Sequence, residues 1–163
     1  MKATTLLERQ HRNLQQLCEA VERGSASMRE SLMPQLAGDL AAHIAVEEKL
    51  FYPVVAQLLR EEAWVRQGCA RHVEARRYID RALDSGFDDA EFATAIRGLR
   101  ETIELHAEQE EEVLFPRFEV VITADAMRAL GQAMMNLYHV VVERGYARTP
   151  PTGTVPGRNA ASL

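Results

Sequence analysis

The chain has 163 residues, of which 47% are hydrophobic and 26% charged, and its formal net charge is −5. This composition predicts one domain that can bury a core without disulfides, and the acidic balance gives no reason to expect a nucleic-acid partner. Because the N-terminus becomes charged too early for a signal peptide and no apolar run approaches the roughly 20 residues of a membrane span, we expect a cytoplasmic protein with no membrane partner.

The apolar residues recur with helical period almost throughout, which predicts an all-α protein with no strand pairs. Five helices are expected, at about residues 4–23, 33–59, 61–84, 88–118 and 123–145. Short connections favour an up-down-up-down four-helix bundle, with the fifth helix packing on its outside or forming a homo-oligomer. Residues 1–147 would make this domain, and residues 148–163, rich in proline and glycine, would form a disordered, flexible tail.

The two cysteines, Cys18 and Cys69, are too few and too far apart in sequence for a disulfide framework. We expect both thiols to be reduced and packed in the bundle. A redox pair is the alternative, which depends on how close the two Cα atoms lie.

The pattern His-x-x-x-Glu-Glu-x-x-x-x-Pro occurs in both the second and the fourth predicted helix. The two copies contain His43, Glu47, Glu48 and Pro53, and His106, Glu110, Glu111 and Pro116. Four residues make about one helical turn, so each histidine stacks with the first glutamate of its copy. Imidazole and carboxylate together form a ligand set suited to a transition metal.

Helical phase places both His-Glu pairs in the apolar stripes of their helices, together with His11 of the first helix and His72 of the third. In an antiparallel bundle these positions share one end. Two buried carboxylates with no lysine at the same depth call for cations, which favours a metal site over surface ion pairs.

Three other positions fall outside this stripe. Glu48 and Glu111 lie about 100° further round and are expected to be mainly solvated. His139 points away from the apolar stripe of the fifth helix and is not expected to be a ligand.

The order His11, His43-x-x-x-Glu47, His72 and His106-x-x-x-Glu110 resembles the hemerythrin-like (HHE cation-binding) domain over about residues 4–118. That resemblance implies a left-handed bundle holding two non-haem irons near one end, bridged by an oxo or hydroxo group. His11 and His43 would bind one iron, His72 and His106 the other, and Glu47 and Glu110 would bridge both. Manganese or zinc would accept the same ligands. Ferritin-like proteins use Glu-x-x-His helices, so the reversed order here argues against a ferroxidase.

Oxygen carriers of this family place a further histidine four residues after the third-helix histidine, where this chain has Arg76. Arginine stays protonated and cannot be a ligand. Arg76 is expected either to reach from the bundle to water or to lie near a bound anionic peroxide. An apolar wall around the ligand is expected from Leu14, Leu50, Ile79, Ile103 and Leu114.

Three functions remain open from sequence. The first is a protein binding oxygen or a related small oxidant, such as peroxide or nitric oxide. The second is a peroxidase- or catalase-like di-iron enzyme that protects against oxidative stress. The third is an iron- or oxygen-sensing module in which metal loading alters the fifth helix.

Overall fold

The computed structural model describes residues 1–147, and this part of the chain is all-helical, without strands. We number five helices within it. They are α1 (Ala3–Arg23), α2 (Ala26–Val46, Glu47–Phe51 and Tyr52–Leu59 in continuous succession), α3 (Glu62–Asp84), α4 (Ala90–Gln109, Glu110–Leu114 and Phe115–Glu119, also continuous) and α5 (Ala124–Arg144). The predicted fold class is confirmed, and the predicted tail lies outside the described residues.

Most helix ends fall where the sequence predicted them, but the start of α2 does not. Ser25 caps this helix by accepting a hydrogen bond from the Met28 N–H at 3.4 Å, so α2 begins well before the predicted start near residue 33. Pro34 lies inside the helix with an exposed side chain. Water can therefore reach the backbone carbonyl that the proline leaves without a hydrogen bond.

Both repeat motifs contain a short π-helical segment, Glu47–Phe51 in α2 and Glu110–Leu114 in α4. The Tyr52 N–H donates to the Glu47 carbonyl and the Phe115 N–H to the Glu110 carbonyl, five residues back in each case. Pro53 or Pro116 follows directly, and a proline ring clashes with the carbonyl four residues before it. The wider turn relieves that clash, so each proline is accommodated by a change of helical register.

The first four helices form a closed ring in which α1 packs on α2 and α4, and α3 packs on α4 and α2. Helix α5 lies outside this ring against α1 and α2. Packing on the outside of the bundle was one of the two alternatives predicted for it. None of the described helices is long and apolar enough to cross a membrane.

Within residues 1–147 the apolar side chains form two clusters at different depths of the bundle. One includes Leu14, Cys18 and Ile79, and the other includes Leu7, Phe51 and Phe118. Because Leu7 and Leu14 flank His11 on α1, the histidine level lies between the two clusters. Both cysteines are free: Cys18 is buried in the first cluster, whereas Cys69 is only partly buried beside the second.

Candidate metal centre

Four histidines, one from each bundle helix, meet in the interior. The ring centroids of His11 and His43 lie 4.9 Å apart, and those of His72 and His106 lie 5.0 Å apart. The distances from His43 to His72 and to His106 are longer, 6.1 and 5.6 Å. No ring is more than 5% exposed, so the four imidazoles form two close pairs shielded from solvent.

Glu47 lies between these pairs and is completely buried. Its Oε1 is 3.3 Å from His43 Nε2 and 3.7 Å from His11 Nε2. Its Oε2 is 2.9 Å from His72 Nε2 and 3.2 Å from His106 Nε2. The carboxylate therefore presents one oxygen to each pair of histidines.

Glu110 lies on another side of the same level. Its Oε2 is 3.6 Å from His11 Nε2 and 3.7 Å from His106 Nε2, one histidine of each pair. Its Oε1 accepts a hydrogen bond from the Tyr52 hydroxyl at 2.9 Å. The structure thus brings all six predicted ligand residues to one level. Ligand atoms of His11, His43, Glu47 and His106 all lie within 4.8 Å of one another, as a metal ion requires.

The donor set fits a cation, because several of its buried atoms have no hydrogen-bond partner. They are the Nε2 atoms of His11, His43 and His106, Glu47 Oε1 and Glu110 Oε2. Buried polar atoms without a partner are rare in proteins, and each costs about 1–3 kcal/mol. Each of these atoms can donate an electron pair, and those of His11, His43, Glu47 and His106 lie close together, so bound cations would satisfy them.

The pKa values of the two central carboxyls move in opposite directions. Burial raises the pKa of Glu110 well above its ordinary value, and the charge of Glu47 raises it further. Burial alone would raise the pKa of Glu47 too, but His43 and His106 lower it well below the ordinary value. The two shifts are opposite because adjacent buried carboxylates repel each other, so ionisation of one disfavours ionisation of the other.

The histidines also differ. Burial lowers the pKa of His43 and of His106, which favours the neutral ring that a metal requires. Burial acts the same way on His11, but hydrogen bonds to Glu111 and Glu47 outweigh it and raise its pKa. The pKa of His72 is raised in the same manner by Glu47 and Glu48.

Glu48 and Glu111 were both expected to be mainly solvated. Glu48 is exposed, as expected, whereas Glu111 is partly buried. Both carboxylates nevertheless contact the centre: Glu111 Oε1 lies 2.9 Å from His11 Nδ1, and Glu48 Oε1 lies 3.0 Å from His72 Nδ1. The expectation overlooked these contacts because it assumed an α-helical turn, whereas both residues lie in π-helical segments. Each residue of this wider turn advances by a smaller angle, which keeps the second glutamate near the core face.

Two further contacts were missed at sequence level. Gln10 Oε1 lies 3.1 Å from His43 Nδ1, and the Tyr52 hydroxyl lies 3.0 Å from Glu47 Oε2 as well as contacting Glu110. Tyr52 is at the same place in the first motif as Phe115 in the second, so the extra hydroxyl was the available signal. No pattern around Gln10 distinguishes it.

A small cavity of about 10 Å³ adjoins His43, His72 and His106. Leu14 and Ile103 line it, as predicted, whereas Leu50, Ile79 and Leu114 are not among its lining residues. This volume matches about one water-sized molecule. The arginine that borders it is Arg71, whose Nε donates to Gln109 Oε1 at 3.1 Å.

The two remaining residues singled out at sequence level lie further from the ligands. Arg76 is half-buried. Its positive charge helps to lower the pKa of Glu48, to which the hydrogen bond from His72 contributes more. His139 is exposed on α5.

Comparison with known proteins agrees with this geometry. Residues 2–118 match the model of the hemerythrin HHE cation binding domain. A solved structure of a hemerythrin HHE cation binding domain-containing protein from Mycobacterium kansasii superposes with a TM-score of 0.77 at 19% identity, covering 88% of this chain and 89% of that one. At this identity the likeness shows a shared fold. A comparison with curated proteins gave no match.

Proposed function

The chain belongs to the hemerythrin HHE cation-binding domain family, and we propose that it is a non-haem di-iron protein that binds oxygen or a related small oxidant. Six residues would hold the two irons: His11, His43, Glu47, His72, His106 and Glu110. The observation that carries this proposal is the position of Glu47, whose two oxygens each face a different pair of histidine Nε2 atoms. A carboxylate so placed suits two cations better than one.

Glu110 supports the same arrangement. Its Oε2 faces one histidine of each pair, so it would bridge the two positions from a second side. The set of four imidazoles and two carboxylates favours a first-row transition metal over calcium or magnesium, which prefer oxygen ligands. Zinc has no redox chemistry and cannot donate electrons to an oxidant, which leaves iron and manganese, and we propose iron, the metal that the family resemblance implies.

The iron, when bound, would supply the redox chemistry, and the chain would control access and protons. The apolar clusters on both sides of the histidine level exclude bulk water from it. The cavity beside His43, His72 and His106 has room for about one water-sized molecule. The Tyr52 hydroxyl holds a proton between Glu47 and Glu110, within reach of the site.

A peroxidase- or catalase-like activity is the second candidate, and Arg71 and Arg76 favour it. The third-helix position at which oxygen carriers place a further histidine is Arg76, which leaves more positions open to an exogenous ligand. Arg71 brings a permanent positive charge to the cavity wall, where it would attract an anionic oxidant.

The test is metal analysis and a visible spectrum of protein purified without added metal, followed by exposure to oxygen and to hydrogen peroxide. We expect about two irons per chain, falling sharply in His106→Ala and unchanged in His139→Ala, whose side chain is exposed. A stable, reversible oxygen adduct would identify a carrier. Oxygen release from peroxide that His106→Ala abolishes would identify the enzyme. A folded protein that takes up no iron would contradict both.

A further inference from the structure

We infer that Glu48 and Glu111, the second glutamates of the two repeats, are positioning residues, each of which fixes a ligand histidine on a neighbouring helix. We infer also that Arg12 makes the His11 side of the centre the more tightly held one. This inference rests on the proposed function, since it assigns roles toward the same metal site. It explains why the repeat contains two adjacent glutamates when only the first reaches the centre.

The hydrogen bonds give each histidine one defined proton position. Glu111 Oε1 lies 2.9 Å from His11 Nδ1, and Glu48 Oε1 lies 3.0 Å from His72 Nδ1. A carboxylate can only accept, so the proton of each ring lies on Nδ1. Nε2 is then the ring atom left to bind a metal, and in both rings it faces Glu47. In the absence of a metal His72 Nε2 is hydrogen-bonded to Glu47 Oε2 at 2.9 Å. Outer carboxylates orient metal-binding histidines in this way in many proteins.

The same repeats also hold the planes of the two rings. Phe115, one turn after Glu111, lies parallel to His11, with 6.2 Å between centroids and 6° between planes. Tyr52, one turn after Glu48, lies parallel to His72, with corresponding values of 5.7 Å and 13°. Each repeat therefore supplies a glutamate and an aromatic ring to one histidine of another helix. The two contacts together fix the direction of Nε2.

The second glutamates of the two repeats differ in their own contacts. Arg12 donates two hydrogen bonds to Glu111, from Nη1 to Oε1 at 3.0 Å and from Nη2 to Oε2 at 2.7 Å. This two-point pairing is the most directional that a carboxylate makes. The side chain of Glu48 is more exposed than that of Glu111, 34% against 18%. We therefore expect the His72 side to release its metal first.

The experiment measures ferrous iron release, without oxygen, from the full chain into excess chelator. Wild type should release iron in two phases. Glu48→Ala should accelerate the faster phase and Glu111→Ala the slower one, each by about 10- to 100-fold, the usual effect of losing such a partner. Arg12→Ala should accelerate the slower phase less, and should add little to Glu111→Ala because the two residues act through one contact. Glu112→Ala, next to Glu111 but exposed, is the matched control and should change nothing.

A second readout needs no metal. Nitrogen-15 NMR of the metal-free protein should show His11 and His72 protonated on Nδ1. Glu111→Ala should reduce Nδ1 protonation of His11 alone and Glu48→Ala that of His72 alone, and glutamine at either position, which keeps a side-chain acceptor, should restore part of it. Release rates and tautomers that match wild type in both alanine variants would overturn the inference while leaving the proposed function intact. A wild-type protein that binds no iron would overturn the proposed function instead.

Discussion

The hydroxyl of Tyr52 lies between two carboxyl groups whose pKa values have moved in opposite directions. It is 3.0 Å from Glu47 Oε2 and 2.9 Å from Glu110 Oε1, and the residue is 1% exposed. A phenol has one proton, so it can donate to one carboxylate at a time. Burial and the charge of Glu47 raise the pKa of Glu110, so the two carboxyl groups and the phenol form one hydrogen-bonded network.

Tyr52→Phe should therefore weaken the metal-free protein more than the loaded one. Loss of a hydrogen bond to a charged buried group costs roughly 1.5–3 kcal/mol, whereas a metal would compensate the same charge directly. Denaturant unfolding with and without iron measures the difference, with Tyr78→Phe, away from the centre, as the control. Loss of all iron in Tyr52→Phe would contradict this view and make Tyr52 a ligand.

The two thiols should differ in reactivity. Burial raises the pKa of Cys18 to about 12, and burial followed by the charges of Glu48 and Glu47 raises that of Cys69 above its ordinary value of 9.0. Only the thiolate reacts, so labelling of Cys69 should be slow near neutral pH and accelerate as pH rises through and beyond 9.0. Timed labelling with Ellman's reagent tests this. Cys69→Ser should give almost no native-state labelling, and rapid reaction of Cys18 near neutral pH would contradict the prediction.

The six residues of the candidate centre could be predicted from sequence, whereas the side chains that contact them could not. His43 and Glu47 lie one turn apart in an apolar stripe, and periodicity alone reveals that pairing. Gln10 and Tyr52 reach the centre across helices, so their roles depend on packing distances that no local pattern encodes. The contacts of Glu48 and Glu111 were missed for a different reason, which lies in the geometry of the helix.

Within α2 and α4, a five-residue π-helical segment influences which side chains face the site. Sequence predicts the extent of α4 closely, because Gly, Pro and capping residues mark helix ends. It does not predict Glu110–Leu114 as a wider turn, since the proline that favours this turn is equally compatible with a simple kink. The start of α2 was missed as well, because the connection before it was predicted to extend to about residue 33, whereas the Ser25 cap begins the helix well upstream.

Close packing between α2 and α3 depends on Gly68. A Cβ atom there would lie 2.2 Å from the Tyr52 hydroxyl oxygen, which is too close for any real contact. Gly68→Ala should therefore displace the Tyr52 ring and destabilise the protein by roughly 1–3 kcal/mol, as overpacking does. It should also speed iron release, because Tyr52 holds both central carboxyls.

Two other helical glycines provide controls. A Cβ at Gly38 meets nothing within 4 Å, so Gly38→Ala should stabilise the protein by up to about 1 kcal/mol through helix propensity. A Cβ at Gly98 would lie 2.4 Å from Tyr78, a similar clash away from the centre, so Gly98→Ala should lower stability without changing iron release. Equal rates of iron release from Gly68→Ala and Gly98→Ala would show that the position of the Tyr52 ring does not affect metal binding.

Within residues 1–147, the candidate centre is a level of the bundle at which polar side chains from all four bundle helices lie close together. Apolar clusters lie on both sides of it, and helix α5 covers α1 and α2 from outside. Four helices held by apolar contacts alone can slide relative to one another at modest cost, whereas a shared set of ligands fixes their relative depth. The bundle and the site are therefore expected to stabilise each other.

Iron loading should accordingly raise the unfolding temperature of the whole chain in one cooperative step. A ligand that binds only the folded state at 100 times its dissociation constant adds about 2.7 kcal/mol, and relief of the unpartnered atoms of His11, His43 and Glu110 acts in the same direction. Calorimetry of chelator-treated and reloaded protein measures this shift. His43→Ala should fold but gain much less from iron, while His139→Ala should behave as wild type. If iron left the unfolding temperature of wild type unchanged, the four helices would not share a metal, and the buried atoms would need another partner.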